Sequence, residues 1–308
     1  MRCFIAGGGG FIGSHLGEAL LIAGHQVVVF DRPSAKYLEN LSSIGAEIRT
    51  GNFLNSSDLS RSIADCDIVF HLISTTVPQT SNENPVFDAE TNLLGTLALL
   101  ESARKTKVKK VIFASSGGTV YGIPREIPIK EDHPTEPISA YGITKLAVEK
   151  YLHLYWHLHK LDYCILRVAN AYGERQPVTE TQGIIAVLID KILKNEEITI
   201  WGDGSILRDF VYVTDISNAF LRAIDYTGVQ KIINISSGKA YSINDILDVI
   251  ERIVHSVVHV KYTASRNFDV PINVLDNSLA FKQLNWTPSI DLHEGIARMY
   301  NWMKKGNQ

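Results

Sequence analysis

Gly7, Gly8, Gly9 and Gly10 stand in a row between a short apolar run and the start of a helical pattern, and Gly13 follows shortly after. The run before them, Cys3-Phe4-Ile5-Ala6, has the length and composition of a buried strand. Residues 11–23 repeat apolar side chains with helical period, placing Leu16, Ala19 and Leu20 on one face. A strand that passes into a helix through residues without side chains leaves the unpaired N–H groups of the first helical turn open. The positive end of the helix dipole lies there too, so an anion can approach closely. The glycines satisfy G-x-G-x-x-G from Gly8 and G-x-x-G-x-x-G from Gly7. An acid, Asp31, ends the next apolar run, Val27-Val28-Val29-Phe30. A plain flexible loop needs none of this context, so the turn predicts a dinucleotide site, with Gly7, Gly10, Phe11, Ile12 and Gly13 at the diphosphate.

Asp31 selects among dinucleotides. A carboxylate at the strand end accepts hydrogen bonds from the adenine ribose hydroxyls and repels a 2′-phosphate, which favours NAD over NADP. Arg32 is the opposing signal, because a guanidinium there could grip that phosphate. A turn-forming Asp is the plain alternative for position 31.

Strand-length apolar runs recur at 68–72, 111–114 and 163–167, separated by helical stretches at 89–106 and 139–160. Strands apolar on both faces and alternating with helices require a parallel sheet covered on both sides. The expected fold class is α/β, a Rossmann-type doubly wound parallel sheet with a smaller mixed C-terminal substrate lobe. After Asn170 the pattern loosens into a polar loop at 171–183 and a helix near 183–194. Strand pieces at Ile198–Trp201 and 210–213, helices near 214–225 and 242–255, and two short terminal helices follow. The expected division is a dinucleotide-binding domain over 1–170 and a substrate lobe over 171–308, interleaved with the last sheet strands.

Composition excludes several classes. A net charge of −3 over 308 residues gives no electrostatic case for nucleic acid or an anionic membrane surface. No apolar run reaches the ~18 residues of a membrane span, and the N-terminal run is too short for a signal peptide, so a cytoplasmic protein is expected. Cys3, Cys66 and Cys164 lie far apart in or beside apolar runs and are expected to be reduced packing residues, with one disulfide and a free thiol as the alternative. His153 and His157 have the spacing of a metal pair but no third ligand nearby, so no metal site is expected.

Tyr141 and Lys145 supply the chemistry. Their i,i+4 spacing puts both on one face of a helix that begins after Pro137. A phenol with its ordinary pKa of ~10 is a poor base at neutral pH. A neighbouring ammonium and a positive nicotinamide both favour the phenolate, and the same lysine can hold the nicotinamide ribose. Alone the pair could be a solvated helix face. A dinucleotide turn upstream and an apolar strand ending in Ser115-Ser116 make it specific.

With these residues the chain resembles the extended short-chain dehydrogenase/reductases, in particular the NAD-dependent sugar-nucleotide epimerases of the UDP-glucose 4-epimerase type. The resemblance rests on Gly10-Phe11-Ile12-Gly13-Ser14-His15-Leu16, on Asn92-Leu93-Leu94-Gly95-Thr96, and on Ser115 to Gly122. Tyr141-Gly142-Ile143-Thr144-Lys145, Ala169-Asn170-Ala171-Tyr172-Gly173 and Arg208-Asp209-Phe210-Val211-Tyr212-Val213 extend it. It implies that Tyr141 is the acid/base, with Lys145 as its electrostatic partner and ribose anchor. It implies that Asn52 and Phe53 flank the adenine, although Asn52 departs from the family's usual Asp. Asn92 and Asn170 would approach the nicotinamide end and the sugar diphosphate. Arg208 and Arg266 would grip that diphosphate, and Asp269 would lie near the nucleotide ribose. Gly117 is a departure, because many members carry a catalytic Ser or Thr there. Ser116 is the expected helper hydroxyl and Thr119 the second choice, unless both only close the strand end. Asn273 falls near the position that bounds the pocket around the sugar C2 substituent, where its small side chain would admit an N-acetyl group.

The reaction implied is NAD-dependent C4 epimerisation of a UDP-hexose through a transient 4-keto sugar. Related dehydratases carry an Asp-Glu pair where this chain has Gly118 and Thr119, and related decarboxylases a Glu at the position of Thr119. A 4-keto reductase would more often use NADPH, against Asp31. A non-catalytic dinucleotide sensor would not need both Tyr141 and Lys145. Members commonly form homodimers through the helices at 89–106 and 139–160. Leu93, Leu97 and Leu100 would lie at that interface, unless they are buried against the chain's own sheet.

Overall fold

The computed structural model describes residues 1–179, 183–264 and 270–306. Its centre is a sheet of β1 (Arg2–Ala6), β2 (Gln26–Asp31), β3 (Glu47–Thr50), β4 (Ile68–His71), β5 (Lys110–Ser116), β6 (Asp162–Val168) and β7 (Ile232–Ile235). The strands run parallel in the order β7-β6-β5-β4-β1-β2-β3. The order reverses direction between β1 and β4, which opens a crevice at the carboxyl ends of those two strands. Register pairs Ala6 with Phe30 on one side and with His71 on the other. Gly7, Asp31 and Leu72 therefore leave the sheet side by side.

Successive strand residues point to opposite faces, and both faces are apolar. Ile5, Val29, Phe70 and Ile112 pack into one core, and Phe4, Val28, Val69 and Phe113 into the other. The helix Phe11–Ile22 covers the first face with Leu16 and Leu20, beside the helix Val213–Arg222. The helices Gly95–Lys105 and Ala140–His159 cover the second. The long helix starts where the Ser139 hydroxyl accepts the Gly142 N–H at 3.2 Å, and it ends at Lys160 in the left-handed region.

Several elements differ from the sequence expectations. The stretch 89–106 is not one α-helix but a π-helical turn, Ala89–Leu94, running into Gly95–Lys105. Strands β3 and β7 were not legible as periodic runs. Of the two terminal helices, Ser278–Leu284 is short, but Leu292–Gly306 has 15 residues. Residues beyond 170 are interleaved with the sheet. They supply β7, and Val211, Ile216, Phe220, Leu275 and Trp286 complete the core on the first face of the sheet. The remainder packs around Ile185, Leu188, Ile189, Ile246, Ile296 and Met299. Small strand pairs lie between, with Leu207–Arg208 flanked by Tyr241–Ser242 and Ile272–Asn273. Leu100 is buried in the chain's own core, whereas Leu94 is exposed. The three cysteines are buried and unpaired. Among the described residues no helix is long and apolar enough to cross a membrane.

Candidate active site

The glycine turn is shaped for a close approach. Gly7 has φ +88, and a Cβ on Gly13 would stand 2.2 Å from the Gly7 carbonyl oxygen. Only glycine at both positions lets the strand fold back over the first turn of the helix. Beyond the turn lies a cleft of about 1310 Å³, lined by Gly7, Gly9, Gly10, Phe11, Asp31 and Arg32 among others. Asp31 accepts the Gly9 N–H through Oδ2 at 3.0 Å and the Arg32 N–H through Oδ1 at 2.8 Å. Burial raises its pKa, and these two N–H donors oppose the shift. Each oxygen keeps a lone pair for a ribose hydroxyl. Asn52 and Phe53 also line the cleft. The Asn52 Oδ1 is spent on the Leu54 N–H at 3.0 Å, and the Phe53 ring packs 5.5 Å from His71. A side chain on Gly95 would strike the Phe53 ring at 2.5 Å, so a glycine there lets Phe53 seat. A glycine cradle, a helix N-terminus and a ribose-competent carboxylate on one cleft fit a dinucleotide.

Asn92 does not line this cleft. Its Oδ1 accepts the Thr75 N–H at 2.9 Å, and its Nδ2 donates to Thr76 Oγ1 at 3.1 Å and Asp88 Oδ1 at 3.0 Å. With both polar ends engaged, it positions Ser74 and Thr75, which do line the cleft. The extra residue of the π turn accompanies this inward orientation of Asn92 and Thr91.

Tyr141 and Lys145 lie next to that loop. The Tyr141 N–H donates to Ser81 Oγ at 3.0 Å, and Lys145 Nζ donates to the Ala114 carbonyl at 3.0 Å. Lys145 Nζ stands 5.5 Å from the centre of the Tyr141 ring. The pKa directions depart from the expectation. Burial pushes the Tyr141 phenol up to about 12, with the Ser74 hydroxyl lowering it and the Asp88 carboxylate raising it further. Burial brings Lys145 down to about 8, against the pull of Asp88 and Glu149. Removal of water from around the phenolate dominates the shift of this phenol.

The turn after β5 faces the same region. Ser116 Oγ and Asn170 Oδ1 both lie about 4 Å from the point where a Gly118 Cβ would stand. A Cβ on Gly117 would fall 2.3 Å from Leu275 Cδ1, so a side chain there requires Leu275 to shift. Thr119 Oγ1 is buried with no hydrogen-bond partner among the described residues. Asn273 Nδ2 donates to the Gly117 carbonyl at 3.3 Å, while its Oδ1 is likewise buried and unpartnered. Asn170 is fixed by donating Nδ2 to the Asp209 carbonyl at 2.8 Å. Arg208 Nη1 donates to the Leu207 and Val270 carbonyls at 2.9 and 2.7 Å. Arg266 and Asp269 lie outside the described residues.

The match to known proteins decides the family. Residues 3–236 match the NAD dependent epimerase/dehydratase family. The chain belongs to that family. NAD is accordingly its cofactor. The UDP-glucose 4-epimerase of Mycolicibacterium smegmatis is 35% identical over 314 residues and 100% of both chains. The crystal structure of UDP-glucose 4-epimerase from Thermotoga maritima with UDP-glucose superposes with a TM-score of 0.95 at 34% identity, covering 100% of each chain. The UDP-N-acetylglucosamine 4-epimerase of Methanobrevibacter ruminantium, in complex with UDP-N-acetylmuramic acid, gives 0.93 at 31% identity over 99% of this chain and 98% of that one.

Within this epimerase/dehydratase frame, several supporting residues escaped the sequence reading. Glu149 accepts Ser115 Oγ at 2.6 Å and both arms of Arg167, Nε at 2.9 Å and Nη2 at 2.6 Å. This buried bidentate pair locks the helix Ala140–His159 to β5 and β6. Two signals were available for it: a charged residue in an apolar strand, and a carboxylate one turn after Lys145. Asp88 is fully buried, accepts Thr144 Oγ1 at 2.5 Å, and also holds Thr76. Asp209 is fully buried too. It accepts the Ser237 and Gly238 N–H groups and Ser237 Oγ, while its carbonyl holds Asn170.

Proposed function

We propose that this chain is an NAD-dependent 4-epimerase of a UDP-hexose. The observation that carries the reading is that the helix of Tyr141 and Lys145 packs on the turn Ser116-Gly117-Gly118-Thr119, where a Cβ on Gly142 would stand 2.8 Å from the Thr119 carbonyl oxygen, and that this turn offers hydroxyls and no carboxylate. Loss of water or carbon dioxide from the sugar would call for an acid at Gly118 or Thr119, so return of the same oxidation level is the favoured outcome.

Bound NAD would supply the hydride acceptor, and then the hydride donor, for the sugar carbon. Tyr141, as the phenolate, takes the proton of the C4 hydroxyl in the first half of the cycle and returns it in the second, so the phenolate is restored. A phenol raised by burial ionises only where positive charge is brought beside it, as an oxidised nicotinamide would do. Lys145 keeps two N–H donors beyond the one on Ala114, enough to hold ribose hydroxyls. Ser116 is the hydroxyl donor to the C4 oxygen. The Ser74 loop, held by Asn92, shields the reacting atoms from water.

Substrate breadth follows from Asn273. Its buried, unpartnered Oδ1 beside Gly117 is an acceptor in search of a donor, which an N-acetyl N–H or a C2 hydroxyl equally provides. The reading is that UDP-GlcNAc and UDP-GalNAc are interconverted as well as UDP-Glc and UDP-Gal. The test is incubation with each UDP-hexose and chromatographic separation of products. Equilibration of C4 epimers without net NADH supports the reading, and dehydrated or decarboxylated products refute it. Turnover of the non-acetylated pair alone refutes the broader specificity. Tyr141→Phe is expected to abolish turnover while NAD stays bound; an active variant would remove Tyr141 from its role.

A further inference from the structure

Arg175 belongs to neither the glycine turn nor the catalytic helix, yet it lines the same cleft as Gly9, Gly10 and Phe11. It lies on the segment that follows the strand Asn170–Tyr172 and crosses the face of the helix Phe11–Ile22. That crossing is anchored. The Glu174 carbonyl meets His15 Nε2 at 2.9 Å, and the Glu174 carboxylate accepts the Tyr212 hydroxyl. Arg175 itself adopts φ +68, a left-handed conformation costly for a residue with a Cβ and tolerated where surrounding contacts enforce it.

Its guanidinium is held in place on two sides. Nη2 donates to Glu18 Oε1 at 2.5 Å, and the group lies 5.5 Å from the centre of the Tyr37 ring. Tyr37 is in turn tied to the glycine turn, its N–H donating to the Gly9 carbonyl at 3.3 Å. The other amino group, Nη1, is buried with no hydrogen-bond partner among the described residues. A cationic donor oriented in advance and left unsatisfied in a nucleotide cleft is suited to an anionic acceptor. The anion that belongs beside Gly10 and Phe11, at the helix N-terminus, is the diphosphate of the dinucleotide.

We propose that Arg175 is a second, side-chain grip on the cofactor diphosphate, donating through Nη1 while Glu18 retains Nη2. The grip comes from the half of the chain beyond residue 170 and is linked through Glu174 to Tyr212. Bound NAD thereby bridges the two halves, which slows its release. Slow release suits a cofactor that each turnover regenerates, and this last consequence alone rests on the proposed epimerisation.

The test uses the full chain freed of nucleotide on charcoal. Affinities for NAD, ADP and adenosine are measured by calorimetry for the wild type, Arg175→Met, Arg175→Lys and Glu18→Gln. Arg175→Met is expected to weaken NAD and ADP by about 10- to 100-fold, the worth of one charge-assisted hydrogen bond. Adenosine binding stays unchanged, Arg175→Lys recovers part of the loss, and NAD dissociates faster from Arg175→Met. Glu18→Gln keeps most of the preference for ADP over adenosine, because the arginine remains. Equal weakening of all three ligands, or no weakening, overturns the proposal and leaves Arg175 a structural tie. So does a Glu18→Gln variant that reproduces the Arg175→Met losses. Because the readout is binding, failure of the epimerase assay and failure of this proposal are separate results.

Discussion

At the scale of single residues, the helper hydroxyl is the sharpest question the site poses. A side chain at position 117 would have to displace Leu275, which is itself fully buried. Ser116 stands on the side of the turn where Asn170 Oδ1 also lies, and Thr119 is buried one turn further on. Ser116→Ala is expected to lower kcat by about 10²-fold with little change in KM, as loss of one donor to a developing oxyanion does. Thr119→Val is expected to change kcat far less. Steady-state kinetics on both variants checks the assignment, and the reverse ranking transfers the role to Thr119. The sequence made Gly117 conspicuous but could not explain it, because the reason is a contact with a residue more than a hundred positions away. The same holds for Asn92: its motif was legible, but its engagement by Thr75, Thr76 and Asp88 shows only once the chain is folded.

At the scale of elements, the π turn Ala89–Leu94 and the helix Ala140–His159 meet at Asp88. The groups acting on Lys145 are Glu149 from its own helix and Asp88 from the segment before the π turn. His71 from β4 in turn feels the Lys145 charge, and Tyr141 lies one helical turn back. Asp88 raises the pKa of both Tyr141 and Lys145. Neutralising it must lower both. In Asp88→Asn, Tyr141 ionises at lower pH, which moves the acid limb of the kcat profile down. Lys145 loses its charge at lower pH, which moves the alkaline limb down as well. A displacement of both limbs toward acid is the expected result, read from kcat across the pH range. A uniform loss of rate with an unmoved profile would mean that Asp88 only supports the fold. Elements of this kind were unevenly legible. β1, β2, β4, β5 and β6 announced themselves because both faces of each are buried and their sequences are continuous apolar runs. β3 reads Glu-Ile-Arg-Thr and lies at the sheet edge, where exposure permits polar residues. β7, Ile-Ile-Asn-Ile, carries a buried Asn that accepts the Tyr121 hydroxyl at 2.7 Å, and without that partner it reads as an interrupted run.

At the scale of the whole molecule, the residues beyond 170 complete the core under the sheet, so the two halves cannot unfold separately. A single cooperative transition is expected, and a group titrating anywhere in the core should register in global stability. His71 is that group. It closes β4 with its ring between Phe53 and Phe113, at 5.5 and 5.2 Å, and its Nε2 meets Thr96 Oγ1 at 2.7 Å. Burial takes its pKa down to about 3, with the Lys145 ammonium adding to the effect. The unfolded chain protonates this imidazole near ~6.5, so between that pH and the folded value the unfolded state binds one proton more. Stability is therefore fully present above ~6.5 and falls as the pH drops through the window, by ~1.4 kcal/mol per pH unit for one proton. His15 shifts in the same direction and adds a second acid-sensitive group, so the wild-type slope alone does not isolate His71. The difference between wild type and His71→Phe does, since the variant keeps a ring of similar size between Phe53 and Phe113. Urea unfolding at about pH 7 and about pH 5 should show the wild type losing ~2 kcal/mol more than the variant. Equal losses would mean that the imidazole takes up its proton in the folded chain as readily as in the unfolded one, and would place a positive charge next to Lys145 at acid pH.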